Sequence, residues 1–264
     1  ESIWLEIKWI NYGPFGQIDR HDGLAIPIKK YNQEANNKQW IESVKGIKML
    51  PIKTHILGRL DDPFQTLINY TSLISKPGDI LTIGETPLAI MQGRYILPST
   101  IKVSFLSRFL CSFFHPTSSL ATGCGMQTLI DIQGPTRILF AWGIGALLKV
   151  LGFKGFFYVL AGNQARLIDD ITGTTPPYDQ TIVLGPIELK RFCTIASKRL
   201  GIHIAIVDVN DLGKVKILAA SENCNHKLLH KALISNPAGN ANEHTPLVLI
   251  RPSENTNKSY LSKI

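Results

Sequence analysis

Residues 186–213 read PIELKRFCTIASKRLGIHIAIVDVNDLG. In the first half Ile187, Leu189, Phe192, Ile195, Ala196 and Leu200 recur at helical spacing, which predicts an amphipathic helix over Pro186–Leu200 with Gly201 as its stop. Ile202–Val209 (IHIAIVDV) then runs almost without a polar break and is rich in β-branched residues, as in a strand covered on both faces. The run ends in Asp208-Val209-Asn210-Asp211. Helix, glycine stop, buried strand and polar exit together place a helix-covered sheet at the centre of the fold.

Working outward, Lys214–Ala219 is a second strand, and Ser221 or Asn223 is positioned to cap a helix reaching about Ile234. Residues 236–246 form a loop, and Pro246–Arg251 (PLVLIR) a final strand. Upstream, Met49–His55 reads as a strand. Asp61 and Asp62 before Pro63 open a helix whose stripe is Leu67, Ile68, Thr71 and Leu73. Lys76–Asp79 is a turn and Ile80–Glu85 a short buried strand. Residues 1–45 form an N-terminal extension: Trp4, Ile7, Trp9 and Ile10 predict a strand, the next residues to Gly16 a turn, and 31–40 a polar loop or weak helix. Residues 254–264 are a polar tail.

The 264 residues are 44% hydrophobic, which suits a folded core and excludes a disordered chain. Twenty-eight lysines and arginines against 20 acidic residues give a formal charge of +8. No run of cations exceeds two residues, so the clustered charge of a nucleic-acid binder is missing, and no nucleic-acid partner is expected. The four cysteines lack zinc-site or redox spacing and read as reduced thiols of a cytoplasmic protein, and ESIWLEIKWI at the start lacks the features of a secretory signal.

The longest apolar run is 138–160, ILFAWGIGALLKVLGFKGFFYVL. Its uncharged part, Ile138–Leu148, is 11 residues, short of the ~20 that a bilayer span needs. Lys149, Gly152, Lys154 and Gly155 interrupt the rest of the run, so a buried or membrane-surface segment is predicted, with peripheral membrane contact through 138–160.

Three stretches carry oxygen ligands. Asp208 and Asp211 stand at the carboxyl end of a strand, where open sheets bind ligands, and read either as ligands of a hard divalent cation or as an ordinary polar strand-to-turn exit. Asp169, Asp170 and Asp179 lie in LIDDITGTTPPYDQ, read as a loop, and suit metal or phosphate–metal contact, though adjacent aspartates more often serve as caps and turn formers. Asn236–Thr245 (NPAGNANEHT) has little bulk and many amides, and reads either as a loop whose backbone donors and side-chain oxygens wrap a nucleotide and its metal or as a plain helix-to-strand connection. Gly143-Ile144-Gly145 lacks the third glycine of a dinucleotide fingerprint, and no phosphate loop or nucleophile elbow occurs. His226 and His230 share a helix face without a zinc motif and read as a surface pair.

Lys76–Arg94 (KPGDILTIGETPLAIMQGR), Ile202–Gly213 and Leu228–Arg251 (LLHKALISNPAGNANEHTPLVLIR) together resemble the coenzyme F-420-0:L-glutamate ligase family, the γ-glutamyl ligases, in a divergent branch. The segment LPIKTHILGRLDDPFQTLI resembles that family's opening strand and helix. The resemblance spans about 48–253 and implies a ligase-like domain over 46–253 with an apolar insertion at about 100–165. It implies an α+β fold with a mixed sheet, a homodimer, and a site for GTP (or ATP) with Mg2+ or Mn2+. The implied reaction phosphorylates an acceptor carboxylate and lets the amine of L-glutamate displace the phosphate, giving an amide.

Carried over by residue, the resemblance assigns metal contacts to Asp208 and Asn240 and the second metal aspartate to Asp179, with Asp169 or Asp170 as alternates. It assigns nucleotide contacts to Gly84, Glu85 and the loop Ala238, Gly239, Asn240, Ala241, Asn242, Glu243, His244 and Thr245, with Lys53 and Thr54 near the opening nucleotide segment. Two positions depart: Ile90 falls where the family has lysine, and Val209 where it has threonine. These departures imply the alternative of a non-catalytic relative that binds nucleotide or a membrane surface.

Overall fold

The computed structural model describes residues 2–14, 16–28, 39–42, 46–170, 177–209, 213–239 and 243–252. In chain order the strands are β1 (Ser2–Gly13), β2 (Gly16–Pro27), β3 (Ile41–Glu42), β4 (Lys48–Ile52), β5 (Ile80–Gly84), β6 (Tyr95–Ile96), β7 (Asp169–Asp170), β8 (Ile182–Val183), β9 (His203–Val209), β10 (Val215–Ala220) and β11 (Leu247–Arg251). The helices are α1 (Pro63–Thr71), α2 (Glu85–Met91), α3 (Phe105–Cys111), α4 (Gly123–Gln133), α5 (Pro135–Val150), α6 (Phe156–Ala161), α7 (Leu189–Leu200) and α8 (His226–Leu233). The fold is α+β, with a mixed six-stranded sheet and, among the described residues, eight α-helices. The chain divides into two compact units. The first gathers Glu1–Trp4, Ala25–Gly93 and Pro186–Ile264, and the second Leu5–Leu24 and Arg94–Gly185.

The first unit is built on the sheet β10-β9-β5-β11-β4-β3, in which β5 and β9 are parallel and the other neighbours antiparallel. Register fixes its core. Leu249 faces Leu50 and Leu81, and Leu81 faces Ile204; Leu247 faces Ile52 and Ile83, and Ile83 faces Ile206. These two apolar rows pack against Leu67 and Tyr70 of α1, Leu88 and Met91 of α2, and Phe192, Cys193 and Ala196 of α7. On the opposite face Met49, Ile80, Ala205, Val207, Val248 and Ile250 pack against Leu228, Leu229, Ala232 and Leu233 of α8. Cover on both faces is why the central strands are continuous apolar runs.

The helix ends follow local chemistry. Asp62 accepts from the Gln65 N–H at 2.7 Å and caps α1, with Pro63 in the first turn. Gly201 takes φ 69° and ends α7, as its sequence predicts, but α7 begins at Leu189 because Glu188 sits left-handed at φ 51°. The cap of α8 is neither Ser221 nor Asn223. Asn225 accepts from the Leu228 N–H at 3.0 Å, while the Ser221 hydroxyl accepts from the Ile204 N–H at 3.1 Å and serves the sheet.

The second unit has the three-stranded sheet β6-β8-β7 and helices α3 to α6 around Leu110, Met126, Leu129, Ile138, Ala141 and Phe157. The hairpin β1–β2 is a separate two-stranded sheet; the Tyr95 hydroxyl donates to the Gly23 carbonyl at 2.7 Å and His21 Nδ1 bonds the Ser99 hydroxyl at 2.8 Å. The 138–160 run is two helices, not one: α5 ends at Val150, and Gly152 and Gly155 turn left-handed before α6. Among the described residues no helix is long and apolar enough to cross a membrane.

Candidate functional site

The strand directions of the first unit gather its polar exits at one end. β4, β5 and β9 run the same way, and β11 runs against β4 and β5, so the carboxyl ends of β4, β5 and β9 meet the amino end of β11. Two positions past the last apolar row of Ile52, Leu247, Ile83 and Ile206 stand Thr54, Thr245, Glu85 and Asp208. A polar row closing an apolar sheet face at its carboxyl end is the arrangement from which open sheets build ligand sites.

Backbone bonds tie these segments together. The Thr54 N–H donates to the His244 carbonyl at 2.8 Å, and the Gly84 N–H to the Pro246 carbonyl at 3.0 Å. The Thr245 hydroxyl donates to the Ala238 carbonyl, and the Thr54 hydroxyl to the His55 carbonyl at 2.7 Å. Both hydroxyls therefore hold the loops in place. Lys53, exposed between buried Ile52 and Thr54, brings a cation to this end. Gly239 turns left-handed at φ 68°, a conformation that favours glycine, and its Cα lies close under the Glu243 carboxylate. His244 is also left-handed, at φ 54°.

Asp208 is half-exposed, with Lys216 Nζ of β10 at 3.8 Å from its carboxylate. Asp211, Asn240, Ala241 and Asn242 lie outside the described residues. The remaining aspartates belong to the second unit, and Asp169 and Asp170 form strand β7, paired to Val183 and Ile182, rather than part of a loop. Asp169 lines a cavity of about 440 Å³ with Thr117, Ser118, Ser119, Tyr158 and Arg166, and Asp179 sits in a short turn beside Gln180. Among the described residues no three histidine, cysteine or acidic side chains gather as a metal cluster. Of the two departures, Ile90 is buried in α2 and Val209 packs on the core beneath α8, so both are apolar for a packing reason.

One constellation at this end is announced by no sequence motif. His55 follows Thr54 at the exit of β4. Its Nε2 lies 3.0 Å from Asp61 and its Nδ1 2.6 Å from the Tyr70 hydroxyl of α1, which also accepts from the His55 N–H at 3.1 Å. The second Asp61 oxygen accepts from the Gly58 N–H at 2.8 Å. An Nε2–H donating to Asp61 is consistent with this whole chain of bonds. His55, Asp61 and Tyr70 thus fix residues 55–61 against α1 and act as positioning residues for the sheet end. Asp61 reads in sequence as half of a helix start; the histidine six residues before it is the signal of its second role.

No protein-family model matches the chain, and the comparison with curated proteins returns no match.

Proposed function

We propose that the first unit binds a nucleoside triphosphate, GTP or ATP, at the carboxyl end of its sheet and joins a carboxylate to an amine, with L-glutamate as amine donor and an acceptor akin to coenzyme F-420-0. The supporting observation is the convergence of Thr54, Gly84, Ala238 and residues 244–246, distant in sequence, through hydrogen bonds at that end. In the reaction an acceptor carboxylate oxygen attacks the terminal phosphorus, releasing the nucleoside diphosphate and leaving an acyl phosphate. The amine nitrogen then bonds the acyl carbon, the carbon–oxygen bond to phosphate breaks, and the amine proton passes to water. Lys53, exposed at the exit of β4, supplies positive charge beside the phosphates.

Mg2+ or Mn2+ is proposed as the companion of the triphosphate. Such an ion takes six ligands in octahedral geometry, several of them water and phosphate oxygens. Among the described residues of this unit Asp208 is the assigned metal carboxylate, so these residues do not fit the ion by themselves.

The test is a thermal melt. Nucleotide with Mg2+ or Mn2+, at a hundredfold excess over Kd, raises Tm by about 5 °C or more. Asp208→Asn removes most of that shift while leaving the unliganded Tm within about 2 °C, since the residue is half-exposed. No shift at millimolar nucleotide and metal ends the proposal. A second reading, nucleotide binding without turnover, is favoured by Ile90 and Val209, which offer the phosphates neither a cation nor an oxygen. The two separate by release of nucleoside diphosphate on adding a carboxylate acceptor and L-glutamate.

A further inference from the structure

The second unit carries an apolar surface that its own fold leaves uncovered. α5 buries Ile138, Ala141 and Gly145 along one stripe. Gly145 lets α6 approach closely, since a Cβ there would stand 3.0 Å from Phe157. At about 100° per residue, Phe140, Leu147, Val150 and Leu151 fall on the other side of the helix, and all four are exposed, Val150 to 86%. Phe153 and Phe156 extend the exposed surface through the turn into α6. α3 extends it laterally: Phe109 and Phe113 pack on Trp142 of α5 with ring centroids 5.8 and 5.0 Å apart, and Phe105 stands 85% exposed. A helix apolar on every side is normally covered on every side, and an exposed apolar surface built from several elements marks an interaction site.

Charge selects the occupant. Over α3, α5, the turn 151–155 and α6 the cations are Arg108, Arg137, Lys149 and Lys154 and no carboxylate occurs, while Asp169 and Asp170 of the same unit stand on β7. Lys149 and Lys154 are exposed within the apolar stretch itself, each flanked by leucine, valine, phenylalanine or glycine. A two-fold contact with a second copy would set this same positive surface against itself. A span is excluded by length, because α5 is about 24 Å long and no described helix is long and apolar enough to cross.

We propose that this surface docks on an anionic lipid bilayer, with α5 lying in the plane of the interface. Phe140, Leu147, Val150, Leu151 and Phe153 enter the acyl boundary, and Lys149 and Lys154 reach back to the headgroup phosphates along their own aliphatic stems. The contact requires no nucleotide, so its test stands apart from that of the sheet-end site.

The experiment is flotation of the full chain with phosphatidylcholine vesicles, with and without phosphatidylglycerol. The chain floats with the anionic vesicles and binds neutral ones about tenfold or more weakly. Phe140→Ser with Leu147→Ser and Val150→Ser abolishes flotation at any salt concentration, and circular dichroism confirms that this variant is folded. Lys149→Gln with Lys154→Gln weakens binding about tenfold at low salt and flattens the salt dependence. On the unmodified chain, brominated acyl chains quench tryptophan fluorescence in anionic vesicles, because Trp142 borders the surface. Failure to float with anionic vesicles at low salt overturns the proposal, as does flotation unchanged by the serine substitutions. Sedimentation covers the rival: a dimer that the serine variant dissociates, with no vesicle binding by the unmodified chain, assigns the surface to a second copy instead.

Discussion

Arg251, the last residue of β11, is held through its Nε, its Nη2 and one flat side of its guanidinium. Its Nε donates to one oxygen of Asp79 at 2.9 Å, and its Nη2 donates to the other at 2.7 Å and to the Ile74 carbonyl at 3.0 Å. Its flat side lies 4.5 Å over the Trp40 ring. Asp79 is 2% exposed and also accepts from the Lys76 N–H. The Asp79 hydrogen bonds hold the guanidinium above its ordinary pKa. Removing one member of such a pair leaves the other charge buried, so Arg251→Ala lowers unfolding free energy by about 3 kcal/mol in urea titration, and Arg251→Lys, which loses the two-pronged geometry, recovers only part. Burial also raises the pKa of two thiols, here by favouring the neutral form. It pushes Cys193 up from 9.0 to about 12 and Cys224 to about 11. Both are protonated at neutral pH, and the thiolate is the reactive form, so a thiol reagent at pH 8 modifies Cys111 before either. Above pH 9 the unfolded chain releases these protons and the folded chain keeps them. Stability is therefore complete below pH 9 and falls between pH 9 and about 12, as Tm against pH reports.

At the scale of elements, α1 shows what local chemistry decides. Asp62 caps its first turn and Asp61 beside it serves His55, so adjacent aspartates have separable effects. Asp62→Ala removes a cap bond and costs about 1 kcal/mol by urea denaturation. Asp61→Asn costs about as much, but also loosens residues 55–61, which hydrogen exchange of the Gly58 and His55 amides detects. The cap, the glycine stop of α7 and the central strands were legible in the sequence because their causes are local. A carboxylate before proline, a glycine after the last apolar position and unbroken β-branched runs each act within a few residues. Ser221 misled because a hydroxyl just after a strand looks like a cap, while its partner, the Ile204 N–H, is 17 positions upstream. Thr54, Gly84 and residues 238–246 could be picked out one by one, but their meeting depends on β11 entering between β4 and β5, a sheet order that no local pattern encodes. The His55–Tyr70 bond is hidden for the same reason. The helices of the second unit stayed opaque because α5 is apolar on every side, and periodicity orients a helix only when one side is polar.

At the scale of the molecule, the chain leaves the first unit after α2 and returns before α7, and within that unit both crossings are pinned side by side. The Gln92 side chain donates to the Ile187 carbonyl at 3.1 Å and accepts from the Ile187 N–H at 2.9 Å. Within the second unit the same crossings pair again, Leu184 N–H to the Arg94 carbonyl at 2.8 Å and Arg94 Nε to the Gly185 carbonyl at 2.6 Å. Each unit also has its own apolar cluster. An insertion whose ends leave and re-enter at neighbouring residues is removable without opening the host core. A chain starting at Gln39, with residues 95–184 replaced by a short glycine–serine linker, is therefore expected to keep the six-stranded sheet, the Arg251–Asp79 pair and a cooperative melt. Because Thr54, Gly84 and the 238–246 loop all remain, its nucleotide-dependent rise in Tm matches that of the full chain within about 2 °C. Vesicle binding is lost with α3, α5 and α6. Calorimetry and flotation on this one variant separate the two surfaces. A shortened chain that melts cooperatively but no longer responds to nucleotide places essential binding groups in the removed segment, and one that still floats moves the lipid contact into the sheet unit.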